Sequence, residues 1–118
     1  MNLDPEVEKK LVEYQNMERQ LQNVVLQKHQ LQLQVNEMKL ATDELGKTNS
    51  DDTYKSIGSL MIKTTKKDAE ADLEDRIRMS EMRLNTLSKQ EEKLKKDLTE
   101  LRTDLEASLK GLSPEGGA

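Results

Sequence analysis

The 118-residue sequence has no cysteine, no phenylalanine and no tryptophan, with one histidine, two tyrosines and two prolines. Without cysteine there are no disulfides or thiolate metal sites, which fits a reducing compartment and points to the cytoplasm. The lone His29 has no convergent partners with which to bind a metal or act as a base. Hydrophobic residues make up only 33% of the chain and charged residues 36%, too little bulk facing too few directions for a globular core. No apolar run approaches the ~18 residues of a membrane span, and the N-terminus lacks the apolar region of a signal peptide. The formal net charge is −4, with Lys and Arg interleaved among Asp and Glu; a nucleic-acid surface needs a basic stripe, and none is present. Gly46, Gly58 and Gly111 read as caps and a turn, so no glycine-rich loop cradles a phosphate. Glu91 and Glu92 are adjacent on a helix and diverge, so they share no acid/base site. The reading is a non-enzyme with no catalytic residues, metal or cofactor.

What the chain does have is a heptad. From Leu73, seam positions step by four and three through Ile77, Ser80, Leu84, Leu87, Glu91, Leu94, Leu98, Leu101, Leu105, Ser108 and Leu112, the a/d pattern of a helix packed lengthwise on another. The N-terminal third carries a matching seam: Val7, Tyr14, Leu21, Lys28, Val35 and Thr42 at a, and Lys10, Met17, Val24, Leu31, Met38 and Leu45 at d. The two fit antiparallel when the numbers of facing residues sum to about 115, so that every a meets a d. Leu21 then faces Leu94, and Leu31 faces Leu84. One chain folding back on itself explains this. Two helices of about 40 residues would each run roughly 60 Å and make an elongated rod.

Helix boundaries follow from local chemistry. Asp4 can cap, Pro5 suits the first helical position and Glu6 complements the dipole, giving a helix over 4–45. Gly46 reads as its left-handed terminator, followed by loop. Thr65 and Asp68 have capping-box spacing before a second helix over 69–110, with 111–118 a flexible tail. In the intervening 46–68, Thr53–Ile57 and Leu60–Thr64 have strand composition, separated by Gly58-Ser59. Gly at the first position of a two-residue loop suits a type II′ hairpin turn. In that register Ile57, Leu60 and Ile62 share one face, with Tyr54 and Met61 on the other; a register slipped by one residue reverses those assignments, and the sequence leaves both open. A lone hairpin is marginal in water and exposes two edges. Pairing with hairpins of other chains resolves both, and makes Tyr54, Ile57, Gly58, Leu60, Met61 and Ile62 the oligomerisation element.

Some residues depart from the seam. Lys28 and Glu91 occupy a positions, where polar residues can fix register or snorkel outward. Val12, Leu26, Leu33 and Leu40 fall at f and Val25 at e, with Met79, Met82 and Leu109 off the seam of the second helix; a row of outward apolar residues suggests a second contact surface. Layers weaken near the termini, where Val7 faces Ser108 and Lys10 faces Leu105. There Leu3, Leu11, Val12, Leu109 and Leu112 gather without a committed partner, a weak and adaptable hydrophobic grip.

Two segments carry a family resemblance. Tyr54-Lys55-Ser56-Ile57-Gly58-Ser59-Leu60-Met61-Ile62-Lys63 and Arg83-Leu84-Asn85-Thr86-Leu87-Ser88-Lys89-Gln90-Glu91-Glu92-Lys93-Leu94 look like the hairpin and second helix of prefoldin. The single hairpin resembles its β-type subunit, and the archaeal form most. That resemblance implies an α2β4 hexamer with an α-type subunit and other β copies, in which hairpins build a β-barrel and coiled coils hang from it. It further implies an ATP-independent holdase that binds unfolded proteins at the coiled-coil tips and delivers them to a group II chaperonin.

The expected fold class is therefore all-α dominated: a long antiparallel coiled-coil hairpin whose helices are joined by a small β-hairpin, the strands assembling into an oligomeric barrel. The rival reading is a coiled-coil scaffold or tether that docks one specific partner on the f stripe.

Overall fold

The computed structural model describes residues 4–49 and 51–112, with side chains through Lys110. Helix α1 spans Pro5–Lys47, strands β1 and β2 span Thr53–Ile57 and Leu60–Thr64, and helix α2 spans Lys66–Leu112. The first turn of α1 is capped as its sequence dictates: the Glu6 amide donates to Asp4 Oδ1 at 2.9 Å, satisfying an otherwise orphaned donor, and the Asp4 carbonyl accepts the first intrahelical bond from the Glu8 amide at 3.0 Å. The Asp68 amide donates likewise to Thr65 Oγ1 at 3.1 Å at the start of α2.

Both helices run past the expected stops. Gly46 is helical, and the only described glycine with positive φ is Gly58. The terminal carbonyls of α1 are satisfied without a left-handed residue: Thr48 Oγ1 donates to the Glu44 carbonyl at 3.1 Å, while Lys66 Nζ donates to the Thr48 carbonyl at 3.0 Å and the Gly46 carbonyl at 3.5 Å. A lysine at a helix C-terminus also complements the dipole. Helix α2 continues through Gly111 to Leu112.

The strands pair antiparallel from Thr53 opposite Thr64 to Ile57 opposite Leu60. Gly58 has φ +58°, and no other described residue has positive φ. That combination is a type II′ turn, since type I′ requires positive φ at both central residues. The observed register puts Lys55 opposite Ile62, so Ile57, Leu60 and Ile62 share a face with Lys55, and Tyr54 and Met61 lie on the other.

The chain forms two compact units, one of residues up to Gln27 and from Leu87 onward, the other of Lys28–Thr86. In the first, Val7, Leu87 and Leu105 are buried, and Tyr14, Met17, Leu21, Val24, Leu94, Leu98 and Leu101 are half-buried. In the second, Val35 is buried, and Leu31, Met38, Thr42, Leu45, Leu73, Ile77, Ser80 and Leu84 are half-buried. Every described seam position is thus withdrawn from solvent. The low apolar fraction suffices because only one stripe per helix needs covering.

Candidate functional site

The hairpin presents bare apolar surface. Thr53, Lys55 and Thr64, at its helix-proximal end, are half-buried, whereas Tyr54, Ile57, Leu60, Met61 and Ile62 are all exposed. Alternation in β1 sends Lys55 to the same face as Ile57, and its ammonium meets Asp72 of α2 at 3.3 Å. Asp72 also holds Arg76 at 3.0 Å, one turn on. This three-residue cluster braces the hairpin against α2 over a cleft lined by Ala41, Leu45, Ala69 and Leu73. Partly exposed pairs of this kind contribute up to ~1 kcal/mol each, enough to orient a hairpin that has no third strand. The brace was not anticipated. Its signal in the sequence is a lysine alternating with aliphatic residues on an otherwise apolar strand face.

The terminus-bearing unit departs from expectation. Val7 and Leu105 are among the most buried residues, so the layers there do not open. Lys10 takes up the strain of its seam position: its aliphatic stem is half-buried while its ammonium reaches Asp104 at 2.8 Å. That hydrogen bond, partly opposed by desolvation and reinforced by the charge of Asp104, raises the Lys10 pKa above its ordinary value. The lysine covers the layer and keeps its charge in water. Of the residues expected to form an apolar grip, Val12 and Leu109 are exposed and Leu11 is half-buried. Leu3 lies outside the described residues, as does the side chain of Leu112. A shallow depression beside Leu109 is lined by Thr103, Glu106, Ala107 and Lys110.

Between the helices of the same unit, Met17, Val24 and Leu94 floor an open groove rimmed by Gln20, Asn23, Gln90, Lys93 and Asp97. Glu91, at a seam position, is mostly buried, with its carboxylate 4.0 Å from Lys95. His29 is exposed. Among the described residues no cluster of three or more His, Cys, Asp or Glu is placed to hold a metal ion, and no helix is long and apolar enough to cross a membrane.

The sequence model of the prefoldin subunit family matches residues 8–111. The chain belongs to the prefoldin subunit family. It is 40% identical over 110 residues to the prefoldin β subunit of Thermococcus kodakarensis, covering 92% of this chain and 94% of that one. It is 34% identical over 116 residues to the prefoldin β subunit of Methanothrix thermoacetophila, covering 98% and 97%. The crystal structure of the prefoldin β subunit from Thermococcus strain KS-1 superposes with a TM-score of 0.78 at 41% identity, over 92% of this chain and 96% of that one. Prefoldin is a chaperone family and not an enzyme family, and the function of this chain is that of a prefoldin chaperone subunit. The β-type resemblance read from the hairpin and second-helix segments is therefore correct.

Proposed function

We propose that the chain is the β-type subunit of an α2β4 hexamer that holds unfolded proteins without ATP and passes them to a group II chaperonin in the cytoplasm. The observation that carries this reading is the hairpin: five exposed apolar side chains on a two-stranded sheet with both edges open. Such a sheet gains stability only by pairing, and strands from neighbouring copies and from an α-type partner supply both the hydrogen bonds and the cover. A closed barrel removes the edges.

Client binding falls to the exposed apolar residues of the terminus-bearing unit, Val12 and Leu109, with half-buried Leu11 and with Leu3 and Leu112 beside them in sequence. Each such side chain contributes at most ~1.5–3 kcal/mol when fully covered. One site is weak, but several linked copies acting on one unfolded chain gain by effective concentration. Weak individual contacts also permit release without nucleotide hydrolysis.

The test is to co-express the chain with an α-type partner, establish the mass of the complex, and measure aggregation of unrelated unfolded proteins without nucleotide. Suppression by the hexamer is the expected result. An intact hexamer that leaves aggregation unchanged would replace the holdase with a scaffold or tether.

A further inference from the structure

Apolar packing does not set the angle at which the hairpin leaves the helices. Its large apolar side chains are exposed, and between β1 and the floor of Ala41, Leu45, Ala69 and Leu73 lies an open cleft of about 610 Å³, far more room than a close-packed contact leaves. A single residue, Thr65, joins β2 to α2, so the backbone there is a pivot. The frame around that pivot is tied, since Lys66 at the start of α2 donates to the Thr48 and Gly46 carbonyls at the end of α1. What spans the cleft is charge. Lys55 Nζ, from β1, lies 3.3 Å from Asp72 Oδ1 on α2. Arg76, one turn along the same helix, takes the other carboxylate oxygen, with Nε 3.0 Å from Oδ2. Asp72 is thus gripped from its own helix and turns its remaining oxygen to the strand. The Lys55 and Asp72 side chains are only 36% and 34% exposed, which spares the pair much of the screening that a fully solvated one meets.

We propose that Asp72 is a positioning residue for assembly: acting through Lys55, it holds the hairpin of the free subunit at the angle with which neighbouring strands pair. The inference rests on the hairpin-assembly reading above and adds to it a control that lies on α2, outside the strands that meet. Strand pairing requires donors and acceptors to be in line along a whole edge. A hairpin that swings on its pivot presents that edge correctly for only part of the time, and its apparent affinity falls by that fraction. A partly covered ion pair biases such an equilibrium by up to roughly fivefold. Losing the brace therefore weakens the joining of each copy by up to about fivefold, without touching the residues that form the contact.

The absence of native cysteine allows spin labels at Ser59→Cys and Met82→Cys, exposed positions on the turn and on α2, in the chain without its α-type partner and diluted in unlabelled copies. The distribution of distances between the two labels is expected to be narrow, to broaden in Asp72→Asn and to narrow again in Asp72→Glu. An equally narrow distribution in Asp72→Asn overturns the inference, whatever the complex does. Complexes with the α-type partner supply the second measurement. Sedimentation of the unaltered complex comes first; chains that remain monomeric there sink the hairpin reading and this inference together. In assembly titrations, Asp72→Asn is expected to raise the midpoint by up to about fivefold and Asp72→Glu to recover most of the loss. Asp75→Asn, which removes the same charge from a residue paired with Arg78 on its own helix, is expected to leave the midpoint unchanged. In a Lys55→Gln background Asp72→Asn is expected to have no further effect, and helix melting is expected to stay the same throughout. A loss that adds to that of Lys55→Gln, or one that follows a fall in helix melting, would make Asp72 a structural residue of α2 and overturn the inference. Unaltered affinity in Asp72→Asn would overturn it too, while leaving hairpin assembly standing.

Discussion

Ile62→Asp is expected to dissociate the assembly while leaving the subunit helical. Ile62, Ile57 and Leu60 share one hairpin face and remain 46%, 50% and 64% exposed in the chain. Full burial of such a side chain gives ~1.5–3 kcal/mol, so covering the remaining half of each yields roughly 0.7–1.5 kcal/mol, or about 2–4 kcal/mol for the face. Aspartate forfeits the Ile62 share and, once covered by a neighbouring hairpin, adds a buried charge costing ~3–5 kcal/mol. These sum to roughly 4–6.5 kcal/mol, and at ~1.4 kcal/mol per decade association weakens by about three to four and a half orders of magnitude. The free subunit tolerates the change, because residue 62 lies opposite Lys55 and is half in water. Sedimentation velocity reads the assembly, and far-ultraviolet circular dichroism the helices. Lys63→Ser, on the opposite face, serves as the control and is expected to leave the complex intact. A hexamer of unchanged mass with aspartate at 62 would refute the assignment of this face to the assembly interior.

Replacing Leu11, Val12 and Leu109 together by serine is expected to leave mass and helicity unchanged and abolish aggregation suppression; full activity in an intact complex would move the client site elsewhere, first to Leu26 and Leu33. Val35 is only 1% exposed, so Val35→Ala, losing two carbons at ~0.8 kcal/mol each plus a cavity, is expected to cost roughly 2 kcal/mol in urea titrations, while Leu40→Ala stays within about 0.5 kcal/mol in the dissociated subunit. Because the Lys10 pKa is raised in the folded chain above its ordinary 10.5, the Lys10–Asp104 contribution is fully present below that value and is lost as pH climbs through the higher folded one. Thermal melts between about pH 9 and about pH 12 are expected to show this alkaline loss shrinking in Asp104→Asn; an identical pH profile in that variant would mean the pair contributes nothing.

Much of the architecture was legible because it rests on period and local chemistry. The 4-3 step of the seam marks which residues withdraw from water, whatever lies beyond them; Leu31, Leu84 and their neighbours are covered as the heptad requires. Strand limits and the II′ turn follow from Gly58-Ser59, whereas the face shared by Ile57, Leu60 and Ile62 depends on the register, which the folded hairpin selects. Helix N-termini were readable because Asp4 and Thr65 act on amides two or three residues away.

Contacts between residues distant in the chain were not legible. Gly46 reads as a stop only while the α1 carbonyls lack other partners, and Lys66, twenty residues on, supplies one. Lys10 opposite Leu105 reads as a failing layer until Asp104 takes the ammonium and lets the stem cover the seam. The Lys55–Asp72–Arg76 brace likewise depends on how the hairpin settles against α2. Periodicity and capping are encoded within a few residues, so the chain alone decides which stripe is buried and where a helix begins. Where a long charged side chain ends depends on which opposite charge or carbonyl lies within ~4 Å of its tip, and only the folded arrangement of the helices and hairpin sets that distance.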